Sequence, residues 1–76
     1  MTLAAALQRF DAALTAEVEY AVRFHQLAMK AGDVGADDLA AYGVEVRAIA
    51  AATEACATER REAALALAAL LHQIQP

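Results

Sequence analysis

The stretch that decides the fold is residues 39–74, LAAYGVEVRAIAAATEACATERREAALALAALLHQI. Alternating steps of three and four residues along this stretch meet apolar side chains at most positions. Such heptad spacing is typical of a long amphipathic helix that packs against another helix. An apolar seam of this kind must be covered, either by the rest of the chain or by another chain. The seam comprises Leu39, Tyr42, Val46, Ile49, Thr53, Cys56, Arg60, Ala63, Leu67, Leu70 and Ile74.

Length and composition restrict the fold to a small helical domain. The chain has 76 residues and is 61% hydrophobic, but alanine, which packs little volume, occurs 23 times. Alanine has the best intrinsic helix propensity, and aromatic residues make up only 5% of the chain. We therefore predict an all-α fold, an antiparallel two-helix hairpin resembling a coiled coil, which pairs into a helical bundle.

The charge balance excludes several classes of function. Ten acidic residues outnumber six basic ones, and no basic stripe exists. Nucleic acid and anionic membrane surfaces are bound mainly through clustered Lys and Arg, so neither is an expected partner. No apolar run is long enough to span a bilayer, and residues 1–11 do not resemble a signal peptide. A single cysteine fits a reducing compartment, which predicts a cytoplasmic location.

The predicted hairpin is one domain with a first helix over 2–31, a loop over 32–36 and a second helix over 37–75. Thr2 is the expected N-cap, and Gly32 is expected to take the left-handed conformation that ends a helix. The apolar stripe of the first helix is expected to face the seam, which would place Val46 near Val22, Ile49 near Val18 and Thr53 near Leu14. This stripe begins with Leu3, Leu7, Phe10, Leu14 and Val18 and then broadens.

The two predicted helices differ in length, at about 45 Å and nearly 60 Å. The first helix is expected to end level with about Leu65. The apolar end of the second helix then either breaks near Thr58 and folds back, or is covered by another molecule. The second alternative is favoured because no Gly or Pro marks a break. The residues expected to bind a partner helix or a second copy are Leu65, Leu67, Leu70, Leu71 and Ile74.

Residue types that carry chemistry are few and scattered. His25 and His72 are the only histidines, and Cys56 is the only thiol. Metal sites need three or four converging ligands, and the Glu-x-x-His pattern of helical di-iron proteins is absent. A reactive cysteine needs a nearby base, and no histidine is expected near Cys56. We therefore expect no catalytic site, no metal and no cofactor.

Two residues interrupt the pattern of the second helix. Arg60 occupies a core position of the seam, where a lone charged residue can fix register or oligomeric state. We expect the charge of Arg60 to be accommodated either by an ion pair with Asp11 or by a guanidinium group that reaches out to solvent. Gly43 costs roughly 1 kcal/mol relative to alanine inside a helix. We expect it to make room for the ring of Phe24 or His25.

Residues 30–52, KAGDVGADDLAAYGVEVRAIAAA, resemble small helical-hairpin proteins of bacterial type III secretion, the co-chaperones of the needle subunit. The matching features are Gly32 in the turn, Tyr42 early in the second helix, and Val46 and Ile49 in the heptads. The spaced leucines and the late Arg60–Arg61 pair are also similar to those of the longer flagellar export chaperones. The resemblance implies a cytoplasmic protein that shields an amphipathic helix of its partner until export.

Three hypotheses about function follow. The first is a protein–protein interaction module, in the form of a secretion co-chaperone, that binds a partner helix through anchors at heptad spacing. The second is a self-assembling structural subunit, such as a dimeric four-helix bundle, with no other partner. The third, which the sequence favours least, is a small metal-binding or enzymatic protein.

Overall fold

Two long antiparallel helices make up the hairpin. The computed structural model describes residues 1–74. Helix α1 spans Leu3–Met29, and helix α2 spans Leu39–Ile74. Two short 3-10 turns, Ala31–Asp33 and Ala36–Asp38, connect them. The molecule measures 61 × 15 × 15 Å, and the predicted all-α hairpin is the fold that the structure shows.

The helix ends lie close to the predicted positions. Thr2 caps α1 as expected, because its side-chain Oγ1 accepts a hydrogen bond from the backbone N–H of Ala5 at 3.1 Å. The first helix ends at Met29, two residues earlier than predicted, with Lys30 as its C-cap. The second begins at Leu39, because Asp37 and Asp38 belong to the preceding 3-10 turn. Its predicted end at residue 75 lies outside the described residues.

The turn between the helices is built differently from the prediction. None of the three glycines has a positive φ, so the expected left-handed conformation of Gly32 is wrong. The chain instead reverses through the two 3-10 turns, with Val34 and Gly35 extended between them. The backbone N–H of Asp33 donates to the carbonyl of Lys30 at 2.9 Å, and Asp38 donates to Gly35 at 3.0 Å. Local hydrogen bonds therefore replace the special conformation of a glycine.

Tyr42 ties the start of α2 to the end of α1. Its hydroxyl donates a 2.6 Å hydrogen bond to the backbone carbonyl of Leu27. The last four carbonyls of a helix lack partners within the helix. This carbonyl also accepts from the backbone N–H of Lys30, at 3.1 Å, so Tyr42 is its second donor. The half-buried ring and its hydroxyl fix the position of α2 along α1 at the closed end of the hairpin.

The seam of α2 faces α1, as predicted. Every seam position from Tyr42 to Leu70 is buried or half-buried, whereas Leu39 and Ile74 at the two ends are exposed. The helix continues without interruption through Thr58 and Glu59, so the alternative with a break there is wrong.

Helix α1 is rotated relative to the prediction. Its packed stripe contains Ala6, Phe10, Ala13, Glu17, Tyr20 and Leu27. The expected stripe is largely left in solvent: Leu14 is 41% exposed, Val18 55% and Val22 50%. The predicted packing of these three residues against α2 is therefore wrong. Only Phe10 belongs to both the predicted first stripe and the packed one.

The buried core is thin. Among the described residues, the buried side chains are Ala6, Ala13, Leu27, Ala57 and Ala63. Alanine allows close approach of the helices but buries little apolar surface. Because each buried Å² stabilises the fold by only roughly 25 cal/mol, this core contributes little to the free energy of unfolding. A chain of this size with so small a core has few sources of stability within one molecule.

Candidate interaction surface

One side of the hairpin carries charged residues from both helices. Arg9 of α1 pairs with Glu59 of α2, and its Nε donates to Oε1 of Glu59 at 3.0 Å. The same guanidinium lies 3.9 Å from Glu62. Arg23 and Lys30 line a shallow surface cleft with Glu45, so basic residues of α1 lie beside acidic residues of α2 along this side. We call these six residues the charged face.

Arg60 forms its ion pair with Glu17, not with Asp11. The Nε of Arg60 donates to Oε2 of Glu17, and both side chains are partly buried at the helix contact. Asp11 is exposed, because the rotation of α1 turns it away from the seam. The predicted pair with Asp11 is therefore wrong, whereas the predicted role of Arg60 in setting the register stays a prediction.

The opposite side of α1 is apolar and uncovered. Leu7, Leu14 and Val18 are all exposed. Residues three, four or seven apart lie on the same side of a helix, so these three side chains form one column. Leu3 and Val22 extend this column at its ends, and both are also exposed. The column continues along most of a helix about 40 Å long.

Helix α2 adds a column of small residues to the same side. Ala50, Ala57 and Ala64 follow one another at seven-residue spacing, and Leu71 continues the series. Ala50 lines an open, almost entirely apolar cleft with Ala21, Phe24 and Thr53, which places the two columns side by side. We call the surface formed by Leu7, Leu14, Val18, Ala50, Ala64 and Leu71 the apolar face; Ala57, between Ala50 and Ala64 in the column, is itself buried.

Charged side chains border the apolar face. Asp11 lies seven residues before Val18 on the outer side of α1. Arg47, Glu54 and Arg61 follow one another at seven-residue spacing on the outer side of α2, and all are exposed. An apolar centre with a polar rim is the usual arrangement of a protein–protein interface.

The predicted partner-binding residues divide into two groups. Leu67 and Leu70 are half-buried within the hairpin. Met1 lines a surface cleft with Ala69 and Leu70, so the start of the chain covers α2 further along than the predicted limit at Leu65. The three that remain exposed are Leu65, Leu71 and Ile74, at 71%, 40% and 58%. Of these, Leu71 continues the apolar face.

The residues considered for chemistry lie apart from one another. His25 and His72 are exposed on different helices, and Cys56 is half-buried at the helix contact. Among residues 1–74, no three His, Cys, Asp or Glu side chains are placed to hold a metal ion. In the same range, neither helix has an apolar stretch that could cross a membrane.

Gly43 does not accommodate an aromatic ring. A Cβ atom added there would meet only the guanidinium of Arg47, at 3.7 Å, which is ordinary van der Waals contact. The expectation that it makes room for Phe24 or His25 is therefore wrong. Gly43 precedes Ala50 by seven residues, which places it in line with the small-residue column.

The surface of the chain is large for its mass. Its accessible area is 5518 Å² for 8.0 kDa. A compact monomer of this mass exposes about 4,450 Å². The excess of about 1,100 Å² exceeds the roughly 800 Å² that each partner buries in a standard protein–protein interface.

Sequence reasoning missed the apolar face because two stripes of α1 have helical spacing. The packed stripe from Ala6 to Leu27 follows the four-three repeat without a slip, but it includes two alanines and Glu17. The outer column holds larger side chains and has the stronger hydrophobic pattern. The regular spacing of the less hydrophobic stripe was the signal that could have identified the packed side of α1.

No protein-family model, curated protein or solved structure matches this chain.

Proposed function

We propose that this protein is a non-enzymatic protein–protein interaction module whose apolar face is covered by helices of another polypeptide. The observation that carries the proposal is the segregation of its surface. The apolar face has no charge at its centre, whereas the charged face on the opposite side is internally paired through Arg9, Glu59 and Glu62.

Energetics support association through this face. Burying the exposed half of a Leu or Val side chain provides about 1 kcal/mol. The apolar face therefore gains several kcal/mol on being covered, while the alanine core inside the hairpin provides little. A second helical layer supplies the apolar burial that one hairpin lacks.

A photo-reactive amino acid tests the proposal in the native host. Placed at Val18, on the apolar face, it is expected to cross-link to a second polypeptide identified by mass spectrometry. The matched control is Ala12, which is exposed on the side of α1 that carries Arg9 and Arg23. Equal cross-linking at both positions, or none at Val18, contradicts the proposal.

A narrower form of this function is that of a cytoplasmic secretion co-chaperone. In this form the apolar face covers an amphipathic helix of an exported protein, a mode in which apolar anchors at helical spacing fill a groove. It is supported by the resemblance around Tyr42 and by the cleft between Ala21 and Ala50, which lies between the two columns. It predicts an exported subunit as the cross-linked species at Val18.

A further inference from the structure

We infer that the occupant of the apolar face is a second copy of this chain, related by a two-fold axis parallel to the helices. The inference rests on the proposed function and names its partner. In this arrangement α1 of each copy lies over α2 of the other, which gives an antiparallel four-helix bundle with a closed interface.

The two columns of the apolar face fit each other in this arrangement. Ala21 and Ala50 line one cleft and therefore lie at about the same height along the hairpin. Because the helices are antiparallel, stepping back seven residues on α1 and forward seven on α2 brings Leu14 level with Ala57, which is buried in its own hairpin and leaves the surface low at this position. The next step brings Leu7 level with Ala64. Rotation about the parallel axis keeps these levels, so each leucine column lies over the alanine column of the other copy.

The alternative two-fold axis, across the helices, gives a poorer fit. It places leucine column over leucine column and alanine column over alanine column. The leucines then hold the two α1 helices apart, while the alanines need the two α2 helices closer together to make contact. Such a mismatch lowers packing density, and well-packed interfaces match protein interiors in density. The separation of large residues onto α1 and small residues onto α2 thus selects the parallel axis.

The rim supports the same axis. Counting along both helices from Ala21 and Ala50 places Asp11 at about the same height as Arg61. Within the part of the chain that the structure describes, neither side chain forms an ion pair; Arg61 donates a hydrogen bond only to Thr58, at 3.2 Å. The parallel axis brings Asp11 of one copy beside Arg61 of the other, twice in the dimer. Opposite charges across a rim favour the correct partner and orientation.

The available area also suits a second copy. One side of a molecule that measures 61 × 15 × 15 Å has room for the roughly 800 Å² per partner of a stable dimer. One contact that buries roughly 800 Å² per partner removes most of the excess surface of about 1,100 Å² that the monomer exposes. A second copy has the same length and the same face, so it covers the whole of the apolar face.

Distance measurement between spin labels tests the axis. A label attached to Gly32→Cys in a Cys56→Ala background is suitable, because a Cβ at Gly32 meets no atom within 4 Å. The parallel axis places both turns at one end, so the expected distance between labels is less than half of the 61 Å length. A distance close to the full length overturns the proposed axis.

Sedimentation equilibrium tests the partner. The pure protein is expected to be a dimer of twice 8.0 kDa. Leu14→Glu is expected to be monomeric, whereas Ala12→Glu, on the other side of α1, stays dimeric. A monomeric wild-type protein overturns the inference, but the proposed function still stands if Val18 cross-links to a different protein in the host. A dimeric Leu14→Glu variant also overturns it.

Discussion

The apolar face and the charged face lie on opposite sides of one hairpin and differ in how far their side chains find partners within the molecule. On the charged face, Arg9 finds Glu59 and Glu62 on its own neighbouring helix, so its polar groups are satisfied within one molecule. On the apolar face, Leu14 and Val18 remain about half exposed. The ion pairs of Arg9 thus lie within one molecule, whereas large apolar side chains on the other side stay in solvent.

The largest effect is expected from breaking the apolar face. Leu7→Ser combined with Leu14→Ser removes four half-exposed leucines per dimer, at about 1 kcal/mol each. We expect dimerisation to weaken by about a thousandfold, measured by sedimentation equilibrium. The matched change on the charged face, Arg9→Ser with Arg23→Ser, should alter the dimerisation constant less than tenfold. Similar losses for both pairs would show that the two faces do not differ in function.

A smaller effect is expected at the helix contact between the two faces, where the free energy of unfolding should depend on both Arg60 and Glu17. Arg60→Leu leaves Glu17 partly buried without its guanidinium and is expected to cost about 2 kcal/mol in the free energy of unfolding. Adding Glu17→Leu should restore most of this loss, because an apolar pair can replace a buried ion pair. Chemical denaturation of the single and double variants measures the effect. A double variant no more stable than Arg60→Leu would contradict a direct interaction.

A smaller gain in stability is expected at the end of the small-residue column. Gly43→Ala adds helix propensity without a steric conflict, since only Arg47 lies near the added atom. The free energy of unfolding should rise by about 1 kcal/mol, measured by thermal and urea denaturation. A loss of stability accompanied by weaker dimerisation would show that the second copy packs against the backbone at this position.

The smallest effect is expected on the charged face. Arg9→Ala should lower the free energy of unfolding by about 0.5 kcal/mol, because the pair with Glu59 is partly exposed. The difference from wild type should shrink at 1 M salt, where the screening length falls to about 3 Å. Denaturation at low and high salt measures it. A difference that does not change with salt would indicate lost packing of the arginine side chain instead.

Prediction from the sequence succeeded where one pattern dominated. The heptads from Tyr42 to Leu70 identified the packed side of α2, and Thr2 identified the start of α1. It failed where two patterns competed. On α1, both sides carry a carboxylate that could pair with Arg60: Asp11 on the outer side and Glu17 on the packed side. Neither hydrophobicity nor charge alone could therefore identify the side of α1 that packs against α2.

The sequence by itself determined that the chain is two helices with a break between them. Helix propensity, the cap at Thr2 and the turn residues between Lys30 and Leu39 act locally, so they can be read without knowledge of the fold. The heptad seam of α2 likewise needs only its own spacing.

Only the tertiary structure decided which side of α1 meets α2, and therefore which side stays open. That choice depends on shape and charge across both helices together. Ala6 and Ala13 let the helices approach closely, while Glu17 and Arg9 find Arg60 and Glu59 in the same rotation. Close packing of this kind depends on both surfaces at once, so no single stretch of sequence contains it.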